Sequence, residues 1–445
     1  MVDAQLNARG NKVFLRKRCP DHGTFEALVY GDAERYLEIQ RFDKPGKAPL
    51  ERQTDAAEGC PHDCGICPEH EQHTCLGVIE VNTACNLDCP ICFAESGTQP
   101  QAHGFSLTLD QVERMLDAFV AAEGEPEAVQ ISGGEPSIHP EILPILAAAK
   151  ERGINLVMLN TNGIRLARDK GFAPALAELG IHVYLQFDGF KDSTHLAIRG
   201  RLLQDLKQRA LDNCADVGVG VALAAAVERG VNEGEVGDVV GFGVAHPAVS
   251  SVFFQPVTHA GRFREFDPLE RLTNVEVIRA IAHQLPEWFR EDDFVPVPCC
   301  SPTCRSAAYA LHDGNDLVPL TRLVDVEEYL DYVTNRAVPD PEIRTALEGL
   351  FSASAAAGTK RTSERLECVA CGVGLPEEFR EAAARGFMVV VQDFQDPYTL
   401  DVRKVRKCCV SEIVPDGRLI PFCAYNSAGY REQVREEMAS GAVQK

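Results

Sequence analysis

The stretch Val78 to Phe93, VIEVNTACNLDCPICF, constrains this chain more than any other: an apolar strand runs straight into Cys85, Cys89 and Cys92. The spacing Cys-x3-Cys-x2-Cys draws three thiolates into one tight loop, enough to hold three irons of a [4Fe-4S] cluster, whose usual complement is four cysteines. The remaining iron is then open to a substrate or cosubstrate, so the loop reads as chemistry before scaffolding. A structural zinc knot is the plainer alternative, but it needs a fourth ligand nearby and favours paired Cys-x2-4-Cys spacings.

Composition narrows the partners. Lys and Arg number 44 against 66 Asp and Glu, a net charge of -22, which repels phosphate backbones and disfavours nucleic acid and anionic membrane. The longest uncharged apolar run, Val217 to Val227, is broken by glycines and falls far short of the ~20 residues that span a bilayer. No signal-peptide pattern follows Met1, so the expectation is a soluble, cytoplasmic protein. Its 17 cysteines fall in short-spaced clusters that suit metal better than disulfides, and iron-sulfur ligation is the simpler reading.

Upstream of the central loop, Gly59 to Leu76 supplies Cys60, Cys64, Cys67 and Cys75 within sixteen residues. Four thiolates close a cluster completely, for structure or electron transfer; they also satisfy tetrahedral zinc. His62, His70 and His73 read as solvated or outer residues of that site. Nearer the start, CPDHG places Cys19 in a metal-type knuckle without a cysteine partner: either Cys19 is a relic or, the favoured reading, a Cys-x2-Cys further upstream completes a rubredoxin-like site.

From Leu76 to about residue 260 apolar strands alternate with amphipathic helices, which argues for a parallel sheet with crossover helices. Strands are expected near Val78 to Asn82, Ala128 to Ser132, Leu156 to Thr161, His182 to Phe187, Val219 to Val227 and Val252 to Pro256. Six such units make an α/β fold, a (βα)6 partial TIM barrel, flanked by Cys-rich iron-sulfur modules at residues 1-75 and 261-445. Ligands of parallel sheets collect at the carboxyl ends of strands. There lie Gly133, Gly134, Glu135 and Pro136, with glycines that leave N–H groups free and a carboxylate that suits an ammonium. There too lie Asn160 and Asn162, Gln186 and Asp188, and Gln255, any of which is otherwise ordinary turn chemistry. Arg199 can match a carboxylate bidentately or be a surface arginine. Cys214 sits on the apolar side of a helix as a small hydrophobe.

Beyond Gly261 the chain turns irregular and carries Cys299, Cys300 and Cys304, then Cys368 and Cys371, then Cys408, Cys409 and Cys423. Eight thiolates suit one cluster with spares or two metal sites. The favoured assignment is a second auxiliary [4Fe-4S] cluster drawn from Cys299, Cys304, Cys408 and Cys423.

The cysteine loop with Phe93 behind it resembles the radical S-adenosylmethionine (SAM) superfamily. The full order, CPDHG, GCPHDCGICPEHEQHTCL, VIEVNTACNLDCPICFAESG and a distal KCC…DGRLIPFCAYN, resembles the family containing archaeal tetraether lipid synthase, members of which are also described as pterin methyltransferases. The resemblance implies SAM and a [4Fe-4S] cluster on Cys85, Cys89 and Cys92, with GGEP taking SAM's amino group and Arg199 its carboxylate. It also implies two auxiliary clusters and a low-potential donor such as ferredoxin or flavodoxin. This chain departs from the family in lacking the upstream Cys-x2-Cys. The first expectation for the reaction is carbon-carbon bond formation on lipid hydrocarbon chains through a 5'-deoxyadenosyl radical, which would bring a peripheral membrane contact. The alternatives are C-methylation of a pterin or related heterocycle, and a non-catalytic iron-sulfur electron carrier.

Overall fold

The computed structural model describes residues 2–99, 104–297, 300–313, 316–322 and 386–440. An antiparallel meander comes first, β1 (Ala4–Arg9), β2 (Lys12–Cys19) and β3 (Gly23–Tyr30), followed by α1 (Ala33–Ile39). Val13, Tyr30, Ile39 and Phe42 bury one side of it against Val275.

Six parallel strands then lie side by side in chain order: β4 (Leu76–Glu80), β5 (Ala128–Ser132), β6 (Leu156–Thr161), β7 (His182–Gln186), β8 (Val221–Val227) and β9 (Val249–Pro256). The connections carry α2 (Leu109–Glu123), α3 (Ile142–Glu151), α4 (Ile164–Arg168), α5 (Phe172–Glu178), α6 (Asp192–Arg199), α7 (Gln204–Asp216) and α8 (Val236–Ala245). The hydrophobic pattern predicts all six strands. Side chains alternate across the sheet with period two. Ile79, Ile131, Leu159, Leu185, Leu223 and Phe254 face the helices and join Leu116, Phe119, Leu146, Leu211 and Val240 in the main core, where Cys214 is also buried. Leu76, Val78, Met158, Tyr184, Ala224 and Phe253 face the other way, into a second apolar cluster. Helix α2 starts on a capping box in which Thr108 and Gln111 satisfy each other's backbone N–H groups, a feature worth about 1 kcal/mol.

The region after residue 260 adds α9 (Asn274–Gln284), β10 (Val295–Pro296), β11 (Arg305–Asp313), β12 (Asp316–Pro319), β13 (Gly386–Gln392), α10 (Val402–Arg406), β14 (Val410–Ile413), β15 (Leu419–Pro421), α11 (Phe422–Ser427) and α12 (Tyr430–Ser440). Its strands extend the central sheet at both edges. β13 pairs parallel with β9 and antiparallel with β11, while β14 pairs parallel with β4 on the opposite side. The last strands thus hydrogen-bond directly to the first and last of the six. Helix α12 docks through Tyr430, Arg431 and Val434, which are buried, while most of its residues from Glu432 onward are exposed or half-buried. Cys299, Cys368 and Cys371 lie outside the described residues. Among the described residues no helix is long and apolar enough to cross a membrane.

Candidate active site

The chain leaves β4 and forms the cysteine loop, which other segments hold by its backbone. Cys85 N donates to Gly97 O at 3.1 Å; Cys92 and Arg262 exchange a pair of backbone hydrogen bonds at 2.7 and 2.9 Å. The Arg262 side chain then reaches the carbonyls of Cys89, at 2.8 Å, and Ser96. All three thiols pack against the small apolar cluster of Leu87, Ile164, Leu203 and Leu206. Burial pushes the Cys85 thiol up to about 12, and raises Cys89 although Arg199 beside it pulls the other way. The loop thus gathers three soft donors, and in the protein alone burial favours the protonated thiol at Cys85 and Cys89, which fits a cluster that brings its own positive charge.

The turn after β5 works differently from the expectation. Gly133 has φ of 131°, and a Cβ there would lie 2.4 Å from Asn82 O; at Gly134 it would lie 2.2 Å from Ala84 O. The glycines therefore allow this turn to press against the segment entering the cysteine loop. Their neighbouring N–H groups are used in that contact: Gly134 N donates to Asn82 O at 2.8 Å and Glu135 N to Ala84 O at 2.9 Å. The Glu135 carboxylate is also engaged, accepting from Thr161 Oγ1 at 2.7 Å, Asn162 N at 2.7 Å and Ser137 N at 3.0 Å. Carbonyl acceptors, not N–H donors or the carboxylate, are what this turn has to offer an ammonium. Asn162 completes the junction by donating from Nδ2 to Asn86 Oδ1 at 2.6 Å, while its carbonyl accepts from the buried Lys207 Nζ at 2.7 Å. Burial pulls that lysine down to about 8.

Arg199 and Asp188 are brought together rather than aimed separately at a ligand. Arg199 Nε and Nη2 donate to the two carboxylate oxygens of Asp188, each at 2.7 Å. Arg199 holds the Asp188 carboxyl below its ordinary range although burial works against this.

These elements border a cavity of about 160 Å³ on the inner face of the sheet. Cys92, Gly133, Gly134, Glu135, Asn160 and Gln186 line one side, with Arg199 and Gln255 also contributing. Asn160 is braced by Ser132 Oγ at 3.1 Å. Met158, Tyr184, Phe253, Phe394 and Phe422 supply apolar lining, and Gln130, Gln392, Gln395 and Arg305 add polar groups.

Residues 79–243 match the profile of the Radical SAM superfamily, and residues 1–31 match that of the HMPTM N-terminal zinc ribbon domain. The chain is 30% identical over 477 residues to the 7,8-dihydro-6-hydroxymethylpterin dimethyltransferase of Methanocaldococcus jannaschii, spanning 98% of this chain and 93% of that protein. This chain belongs to that radical SAM family. It is an enzyme of the superfamily, for which a [4Fe-4S] cluster and SAM are the implied cofactors. It is also 31% identical over 200 residues to the GTP 3',8-cyclase of Geobacter sulfurreducens, covering 42% of this chain and 57% of the cyclase. Among solved structures, Streptococcus suis SuiB bound to precursor peptide SuiA aligns with 49% of this chain and 46% of its own, at 16% identity and a TM-score of 0.40.

Two further cysteine groups of this radical SAM enzyme flank the sheet. Cys60, Cys64 and Cys67 line a small recess together with His70. Tyr430 supports that loop, its hydroxyl accepting from Cys64 N at 3.0 Å and facing the Pro61 and His62 carbonyls at 2.8 and 2.7 Å. Burial pushes Cys60 to about 11 and Cys64 to about 12. Cys75, expected as the fourth ligand, does not line the recess. It packs in the inner apolar cluster with Cys300 and Cys409, and its N–H donates to Cys409 O at 2.9 Å. The second group joins Cys304, Cys408 and Cys423: hydrogen bonding between Cys408 and Cys423 holds Cys408 below its usual range and, with burial, drives Cys423 well above its own. Gln395 N donates to Cys423 Sγ at 3.4 Å. Among the described residues no three or more His, Cys, Asp or Glu side chains converge on a single-ion site; a cubane spreads its thiolates over separate irons. At the amino terminus Cys19 Sγ lies 3.2 Å from His22 Nδ1 on the exposed turn between β2 and β3.

Sequence reasoning missed Arg262, Lys207, Tyr430 and Arg305. Arg262 and Tyr430 carry no local signal, since their partners are distant in sequence. Lys207 had none either, since it stands beside Gln208 and Arg209 on a mostly polar helix; Arg305 had one, as the single Lys or Arg of the strand RSAAYALHD.

Proposed function

We propose that this enzyme transfers methyl groups from SAM to carbon of a pterin or a related flat heterocycle. The observation that carries this reading is the near full-length likeness to a protein named as a hydroxymethylpterin dimethyltransferase. The cavity lining supports it over the lipid-coupling expectation. A purely hydrocarbon ligand would offer no hydrogen bond to the polar side chains lining the cavity, among them Gln186, whose buried side-chain oxygen has no partner among the described residues, at about 1–3 kcal/mol for a group left unmet.

In this reading the chain divides into a metal-bearing amino-terminal module over 1-75, a (βα)6 partial barrel over 76-260 and an auxiliary-cluster region over 261-445. Cys85, Cys89 and Cys92 would hold the SAM-binding cluster, and the carbonyls of Gly133 and Gly134 would receive SAM's ammonium. Asn160, Gln186 and Gln255 would meet the adenosine part. Arg199, occupied by Asp188, positions the Cys89 side of the loop instead of binding the SAM carboxylate. Auxiliary clusters would be held by Cys60, Cys64 and Cys67 with a fourth donor, and by Cys304, Cys408 and Cys423. When bound, SAM and its cluster supply one-electron cleavage of a sulfonium and a transferable methyl group. The sheet's inner face orients the substrate and keeps water away from the reacting carbon. A cytoplasmic ferredoxin or flavodoxin would deliver the electrons.

The test is anaerobic reconstitution with methyl-deuterated SAM and 7,8-dihydro-6-hydroxymethylpterin. Deuterated methyl groups on recovered pterin, absent with Cys89→Ala, are the expected result. Formation of 5'-deoxyadenosine with an unlabelled, coupled hydrocarbon product would overturn the proposal in favour of lipid chemistry. Failure to form any 5'-deoxyadenosine would favour an electron carrier.

A further inference from the structure

The cavity contains a polar constellation that neither the cysteine loop nor the GGEP turn uses. Arg305 is the first residue of β11 and is 2% exposed. It sits in register with Gln392 of β13, and its Nη2 donates to Gln392 Oε1. Both line the cavity, as do Tyr184, Gln186 and Gln255. Gln255 Nε2 donates to Tyr184 Oη at 3.0 Å, which leaves the phenol hydrogen and Gln255 Oε1 for a ligand. The side-chain oxygen of Gln186 is buried without a hydrogen-bond partner among the described residues.

Flat apolar surfaces surround these groups. Phe253 meets Tyr184 edge-on at 5.4 Å, and Phe394 and Phe422 stand 4.7 Å apart on the cavity wall. A guanidinium with alternating amide and phenol donors and acceptors, set among aromatic walls, matches a planar ring bearing a carbonyl beside ring nitrogens. It does not match an alkyl chain, which would leave the buried Gln186 oxygen without a partner and give the phenol and amides nothing to bond. It matches a phosphate poorly as well, because the other arginine lining the cavity, Arg199, already gives two hydrogen bonds to Asp188.

We propose that Arg305, braced by Gln392, is the specificity-determining residue that receives the lactam carbonyl of the heterocyclic substrate. Tyr184, Gln186 and Gln255 take the neighbouring N–H and ring-nitrogen groups. This rests on the heterocycle-methylation reading and adds to it the residue that tells an oxo-substituted ring from its amino analogue. A carbonyl accepts from the guanidinium, whereas an exocyclic amine at the same position sets donor against donor.

Equilibrium dialysis of the reconstituted holoprotein, without reductant, tests this with two probes: 6-hydroxymethylpterin and 2,4-diamino-6-hydroxymethylpteridine, in which an amine replaces the carbonyl. The expected result is that the unaltered protein binds the oxo compound about ten to a hundredfold more tightly, the range of a charge-assisted hydrogen bond. Arg305→Met should remove that preference, Arg305→Lys should keep part of it, and SAM binding should be unchanged in both. Gln392→Leu, which frees Arg305 without deleting it, should weaken the preference and serves if the Met variant does not fold. An undiminished preference in Arg305→Met or Gln392→Leu overturns the assignment while leaving the methylation reading intact. If the unaltered protein binds neither pteridine, the methylation reading fails and the assignment with it. Binding of glycerol 3-phosphate that is lost in Arg305→Met would make the occupant a phosphate ester and overturn the carbonyl assignment.

Discussion

Asp188, just beyond β7, and Arg199, the last residue of α6, clasp each other through two hydrogen bonds of 2.7 Å in a site closed to solvent. The Asp188 side chain is 1% exposed and that of Arg199 10%. The pair also receives Ala226 N at 3.0 Å, so it ties β7, α6 and β8 together beside Cys89. Removing one partner of a buried pair strands the other charge, which typically costs about 3–5 kcal/mol. Asp188→Ala should therefore lower the unfolding free energy of the cluster-free protein by that amount in urea titration. Arg199→Lys should recover little, because an ammonium cannot present the same fork.

The cysteines separate by role. Replacing Cys85, Cys89 or Cys92 with alanine should lower the iron content of the reconstituted protein by about four atoms, one cubane, and abolish 5'-deoxyadenosine formation. Cys214→Ala removes a thiol from the helix-facing core, where it is 1% exposed. It should cost about 1 kcal/mol of stability and leave iron content unchanged. Iron analysis beside product chromatography distinguishes the two classes; equal iron loss in Cys214→Ala would place that thiol among the ligands.

His182 provides a pH-dependent contribution. It begins β7 with a buried Nδ1 that has no hydrogen-bond partner among the described residues, and burial lowers its pKa to about 4. The unfolded chain titrates near 6.5, so the folded state prefers the neutral ring. The stability this represents is present above pH 6.5 and is lost as pH falls towards 4. His182→Gln should flatten that part of the stability profile by about 1–3 kcal/mol, read from thermal melts between pH 7 and pH 4.5. Parallel profiles for the two proteins would remove His182 from the account.

The parts legible in the sequence are those whose physics is local. The spacing from Cys85 to Cys92 and the alternation along β4 to β9 each lie within a few residues, so loop and strands could be read directly. Glu135 and Arg199 could not be assigned correctly this way. A carboxylate after two glycines looks like a ligand until Thr161 and Asn162 of the next unit are seen to occupy it. An arginine looks available until Asp188 is seen to fill its fork. The carboxyl-terminal strands were harder still: β14 pairs with β4 across more than three hundred residues of chain, and no periodicity records a partner at that distance.

The same long-range joint carries the last prediction. Glu80, at the end of β4, takes Arg431 Nη1 on both carboxylate oxygens at 2.6 and 2.7 Å, and Tyr425 donates to it at 3.2 Å. Glu412 of β14 accepts from Glu80 N at 3.1 Å, and burial, with the neighbouring Glu80 charge adding to it, raises its pKa well above the ordinary carboxylate value. Arg431 thus pairs directly with Glu80 and reaches the buried Glu412 only through its charge. Arg431→Met should destabilise the protein by about 3–5 kcal/mol at pH 7. The sign of the pH dependence follows from the raised pKa of Glu412: its protonated form is preferred in the fold, so the stability it contributes is present below about 4.5 and fades as pH rises. The Met variant should therefore lose the most at neutral and alkaline pH and the least near pH 5. Adding Glu80→Gln to Arg431→Met should recover much of the loss, since a neutral amide needs no cation, whereas Glu80→Gln alone strands Arg431 and should cost stability. A double-mutant cycle in urea at pH 5 and pH 8 measures this directly, and a coupling that is absent at both pH values would sever the link between the tail helix and β4.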